Sequence, residues 1–181
     1  MDIGPHFSQN FAPKEKTVNL TKQKLFIDFR DFMTDISDPS TKLEFTVKLA
    51  GASNSLNLAP YDHVTEVELL GISFPKIDNE VYFIINIPEF DCNLHSSDNK
   101  GSNFSFATIY YDSTSMTKGV VKPAKGRDFM QKIQKFNPPL QTLSKFTLQF
   151  KKYGGDVLTL ADIDPASLKY CNLILEFTIR E

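Results

Sequence analysis

The chain has 181 residues, of which 41% are hydrophobic, with 16 Phe, six Tyr and no Trp. That length is enough for one domain with a sizeable core and too little for two ordinary ones. A net charge of −2 and a pI near 5.9 give the chain no global electrostatic grip on nucleic acid or on an anionic membrane.

The first twenty residues hold Gly4, Pro5 and Pro13 and the isolated Phe7 and Phe11, with neither a helical nor a strand period. This predicts an arm over 1–20, dispensable for folding and anchored on a neighbouring protein, ahead of a single domain over 21–181. No basic region followed by an apolar core opens the chain, which predicts that there is no secretory leader. No apolar run approaches the roughly 20 residues of a membrane span, so synthesis in the cytoplasm without membrane insertion is expected.

Strands dominate from Lys24 onward. Leu25, Ile27 and Phe29 alternate with Phe26, Asp28 and Arg30, and Leu43, Phe45, Val47 and Leu49 alternate with Lys42, Glu44, Thr46 and Lys48. This is the period of a strand with one wet face. A third strand runs from Val67 to Phe74, and its phase shift at Leu69-Leu70-Gly71 predicts a bulge. The fourth, Val81 to Phe90, is apolar on both faces as far as Ile85, so it reads as a central strand covered twice, with a neighbouring subunit as one candidate cover. Phe104 to Tyr111 is the fifth.

Arg127 to Phe136 would suit a short helix through Phe129, Met130, Ile133 and Phe136. The Asn137-Pro138-Pro139 stop favours an edge strand, and strand is the reading adopted. Phe146, Leu148 and Phe150 mark the seventh strand. Cys171, Leu173, Leu175, Phe177 and Ile179 mark the eighth.

The connections then fall at 33–41, 50–63, 75–80, 91–103, 112–126, 137–142 and 152–167. Eight antiparallel strands in one domain predict an all-β sandwich, with the jelly roll its most economical form. Connections of such unequal length exclude a simple up-and-down barrel. Leu43, Phe45, Val47, Phe146, Leu148, Phe150, Leu173, Leu175 and Phe177 should share one inter-sheet core, since a one-residue slip would bury Lys48 and Glu176 instead.

Chemistry is sparse. His6, His63 and His95 are far apart, and none belongs to the His-x-His pair that a cupin-type metal site needs. His95 lies between Cys92 and Asp98 but lacks a fourth ligand, and Asp98 with Asn99 offers too few carboxylates for calcium. Asp162 and Asp164 precede Pro165 and read as turn chemistry. Gly154-Gly155-Asp156 reads as a hairpin-type turn, since no helix follows it to hold a phosphate. No serine sits on a strand-turn-helix elbow. Lys118, Lys122, Lys125 and Arg127 form a local basic cluster that reads as a solvated loop. Cys92 and Cys171 fall in different environments and are expected to be free thiols. These residues predict no catalytic site, no metal and no cofactor, and hence no enzyme.

Several stretches in order resemble one family. LFIDFRDF at 25–32 is similar to the first strand of single jelly-roll penton and minor capsid proteins of virophages, Polinton-type elements and large DNA viruses. VTEVELLGISFP at 64–75 with EVYFIINIPEF at 80–90 resembles a later strand pair. FNPPLQTLSKFTLQFKKYGGDVL at 136–158 with LILEFTI at 173–179 resembles their closing module.

The resemblance implies a capsid protein that closes as a homopentamer at icosahedral vertices of the virion. It would meet a major capsid protein around it, with the N-terminal arm reaching the inner shell. It also implies outward-facing connections at 75–80 and 112–126. The first is very short, unlike members with large insertions there, which argues against an attached receptor-binding domain, and any C-terminal extension is expected to be absent or removed. A rival reading is a lectin-like or receptor-binding sandwich that recognises glycans, with Tyr61-Asp62 and Tyr111-Asp112 as the aromatic-plus-acid pairs.

Overall fold

The computed structural model describes residues 18–32, 38–50, 59–75, 77, 80, 82–90, 105–110, 129–130, 133–163, 168 and 170–181. It is an all-β sandwich of two antiparallel sheets. One contains β1 (Leu20–Asp28), β9 (Asn172–Arg180), β3 (Tyr61–Ser73) and β7 (Ile133–Leu143), in that spatial order. The other contains β2 (Glu44–Lys48), β8 (Lys145–Lys151), β4 (Tyr82–Asn86), β5 (Ala107–Tyr110) and the two-residue β6 (Phe129–Met130).

The pairs β1·β9, β2·β8, β3·β7 and β4·β5 are those of one long hairpin wound around itself. That winding, dealt alternately into two sheets, is the jelly roll, with β6 a short addition at one edge. No α-helix occurs among the described residues, and short 3-10 turns lie at Phe29–Asp31, Pro88–Phe90 and Leu160–Asp162.

The register follows the alternation. All nine residues assigned to the inter-sheet core are buried, while Lys48 is exposed. Their aromatic partners form two groups, one toward each end of the sandwich. At one end Phe150 meets Phe29 at 4.7 Å, Phe74 at 5.4 Å, Phe45 at 6.2 Å and Phe83 at 6.4 Å between ring centroids. At the other, Phe90 packs on Phe106, Phe136 and Phe146, and Phe177 packs on Phe146 and Tyr61. Phenylalanine has no polar atom to satisfy, so such rings fill the space between two sheets without needing a hydrogen-bond partner.

Three expectations need correction. β1 starts at Leu20, paired with Arg180, so the last residue assigned to the arm belongs to the sheet. β3 starts at Tyr61 rather than Val67 and carries a second irregularity between Val64 and Glu66, besides the expected one between Leu69 and Gly71.

Third, the segment read as one strand from Arg127 to Phe136 is divided. Phe129 and Met130 extend the five-stranded sheet, and the chain then crosses to the other sheet as β7. β7 continues through 137–142, where a connection was expected. The prolines are tolerated because the β3·β7 ladder is interrupted between Lys135 and Leu140, where no N–H is required.

β4 is a central strand covered on both faces, as expected: Ile84 points away from the inter-sheet core yet is already 0% exposed within the single chain. No neighbouring subunit is needed to cover it. The remainder of the arm (1–17) lies outside the described residues.

Candidate functional site

The residues singled out for chemistry are not brought together. Among the described residues no group of three or more His, Cys, Asp and Glu is placed to hold a metal. Asp162 has a structural role. Its carboxylate accepts from the Thr159 N–H at 2.8 Å and hydroxyl at 3.0 Å, and it pairs with Lys152 at 2.5 Å. Partial burial raises its pKa, but the Lys152 and Thr159 hydrogen bonds outweigh that and hold it below the usual carboxylate range.

Gly154-Gly155-Asp156 is the expected turn, closed by Lys152 N–H to Asp156 C=O at 2.8 Å and by Gly155 N–H to Lys152 C=O at 2.9 Å. His63 is exposed in β3, with a left-handed φ of 51° that is uncommon outside glycine. His6, Cys92, His95, Asp98, Asn99, Tyr111, Asp112, Lys118, Lys122, Lys125, Arg127 and Asp164 lie outside the described residues.

Cys171 is a buried thiol just ahead of β9. Burial, with a smaller effect from the Asp28 carboxylate, pushes it up to about 12. A thiol so rarely ionised is a poor nucleophile. At mildly alkaline pH, iodoacetamide should therefore leave Cys171 unmodified in the native protein and alkylate it fully in denaturant, as read by peptide mass mapping. Rapid native alkylation would place that end of β9 in solvent.

Tyr61, the aromatic half of one proposed sugar-binding pair, is only 4% exposed. Its ring packs on Phe177 at 4.9 Å, and Asp62 accepts from the Thr142 hydroxyl at 2.8 Å. The buried Tyr61 ring therefore offers no face on which a sugar could stack. Among the described residues, Tyr82, Tyr110 and Tyr153 are aromatic side chains that reach the surface together, gathered at the end of the sandwich where β4 begins and β5 ends.

The outer face of the four-stranded sheet is the surface with the most unusual chemistry. Its registered rows place Lys24, Glu176, Glu68 and Ile133 side by side across β1, β9, β3 and β7. Glu176 is only 9% exposed although it faces outward. A carboxylate covered to that extent needs partners, and Lys22 donates to it at 2.6 Å while Lys24 lies at 3.9 Å.

One row further along, Phe26 stands opposite Ile174, and Ile174 opposite Gly71 in the bulge that turns Leu70 outward. Phe26 is 57% exposed, and Leu70 and Ile133 are each 39% exposed. An arc of apolar side chains therefore crosses the sheet beside the charged rows. Alternation in β1 places Phe26 outside, but its neighbours on the arc become visible only with the register. No family model matches the chain, and no curated protein matches it.

Proposed function

We propose that this chain is a structural capsid protein of the virion: a single jelly roll that closes with four copies of itself into a pentamer at icosahedral vertices. The observation that carries the reading is the outward arc of Phe26, Ile174, Leu70 and Ile133 on a sheet face that also carries Lys22, Lys24, Glu68 and Glu176. Apolar residues clustered on one sheet face and rimmed by ion pairs are the chemistry of a contact surface. The jelly-roll order and the motif order at 25–32, 64–90 and 136–179 support the same reading. In this role a major capsid protein borders the ring, the N-terminal arm reaches inner-shell contacts, and no residue is catalytic.

A contact between identical subunits that is head-to-tail closes only when its rotation fits, and the ring then gains from each subunit making two contacts at once. Mass photometry of the purified chain should accordingly show monomer and pentamer with few intermediates. The balance should move with concentration and with salt, and negative-stain images should show fivefold rings. A strict monomer at high concentration, or a twofold dimer, would refute the assignment.

A further inference from the structure

Tyr82 opens β4, Tyr110 closes β5, and Tyr153 stands on the turn that follows β8. Tyr82 is the central ring, 5.2 Å from Tyr110 at 49° and 5.4 Å from Tyr153 at 71°. Tyr110 and Tyr82 are half-buried, while Tyr153 is 59% exposed. We propose that these three rings form a carbohydrate-binding platform, in which a pyranose lies on the face of Tyr153 and its hydroxyls are held by Glu80.

A single exposed aromatic is ordinary on a protein surface. This one is fixed in place. Its turn is closed by the two Lys152 backbone hydrogen bonds and by Gly155, whose φ of 92° a larger residue would adopt only with strain. Lys152 on one side is tied to Asp162, and Asp162 to Thr159. Tyr82 packs edge-to-face with the Tyr153 ring. A side chain held this way loses little rotamer freedom when a ligand arrives, which is the usual cost of binding at a surface.

The ligand class follows from the geometry. A quaternary ammonium needs rings held apart around it as a box, whereas centroids at 5.2 and 5.4 Å leave no gap between these rings. A sugar needs something different: one flat, electron-rich face for its C–H groups and acceptors at the rim for its hydroxyls. Glu80 supplies the acceptors. Among the described residues its carboxylate accepts one long bond, 3.4 Å, from the Tyr153 N–H, which leaves acceptor capacity for hydroxyl donors.

The platform lies at the end of the sandwich where β4 begins and β5 ends, and a pentamer oriented as the resemblance implies would present that end outward. Binding by the platform does not depend on ring formation.

The test is saturation-transfer NMR on the full chain, using the methyl glycosides of glucose, galactose, mannose, N-acetylglucosamine and sialic acid as probes. At least one should receive transfer at its ring hydrogens. It should also perturb tyrosine fluorescence, which is readable because the chain has no Trp. Tyr153→Ala should weaken that probe about tenfold, the worth of one stacking contact. Tyr153→Phe should retain binding, Glu80→Gln should weaken it severalfold, and neither the melting temperature nor the oligomer distribution should move in any of these variants. Transfer to none of the five probes, equal transfer in Tyr153→Ala, or loss in Tyr153→Phe would overturn the proposal, whatever the oligomer assay reports.

Discussion

Replacing Phe150 by alanine should destabilise the domain by about 3–5 kcal/mol, the range for a buried phenylalanine. The side chain is 0% exposed, and its ring meets four others that belong to different parts of the chain. Phe29 follows β1, Phe45 is in β2, Phe74 follows β3 and Phe83 is in β4, so the ring touches elements of both sheets. For those neighbours to fill the space left behind, two hydrogen-bonded sheets would have to approach each other. The cavity should therefore persist, and the cost should lie in the upper part of the range. In a domain of this size the fall in Tm would be roughly 6–20 °C.

Urea unfolding monitored by tyrosine fluorescence is the measurement, with Leu148→Ala at about 2–5 kcal/mol as the aliphatic comparison on the same strand. A loss below about 1 kcal/mol for Phe150→Ala would mean that the two sheets do not close over that ring.

The core was readable in the sequence because alternation in β2, β8 and β9 leaves little freedom. Shifting β2 by one residue exchanges Phe45 and Val47 for Glu44, Thr46 and Lys48, so charge fixes the register before any partner strand is known. β7 resisted the same reading. Its prolines signal an ending, and they do interrupt the ladder, but pairing resumes at Leu140 and runs on to Leu143. Whether a proline ends a strand or merely sits in a bulge depends on the partner's hydrogen bonds, which one strand's sequence does not contain.

Outer faces were harder still. Glu176 looked like an ordinary wet position, yet Lys22 and Lys24 from the adjacent strand cover it. The second cover of β4 had a neighbouring subunit as one candidate, yet the chain buries Ile84 by itself. Tyr82, Tyr110 and Tyr153 are unremarkable where they stand in sequence. They meet because β4 lies between β5 and β8, a neighbourhood set by topology rather than by local pattern.

The same outer surface yields the largest expected change in assembly. Phe26→Asp should leave the folded subunit within about 0.5 kcal/mol of its original stability, because the side chain already faces solvent and contributes little to the core. In the pentamer that we propose, its effect is multiplied. Completing the burial of a half-exposed phenylalanine is worth about 1–1.5 kcal/mol, and a carboxylate in its place adds a desolvation penalty. Each contact should therefore weaken at least tenfold, since about 1.4 kcal/mol is a factor of ten. A closed ring of five has five such contacts, so its formation constant should fall by about 10⁵ or more, if the contacts contribute independently.

Mass photometry should then show only monomer at concentrations where the unaltered chain is largely pentameric, while the two chains melt alike at dilutions where both are monomeric. If Phe26→Asp still forms the ring, the outer face of the four-stranded sheet is not the contact and a different surface closes the pentamer. If the unaltered chain forms no ring under any condition, the capsid assignment itself fails, and the tyrosine platform at the end of the sandwich becomes the main clue to what this jelly roll does.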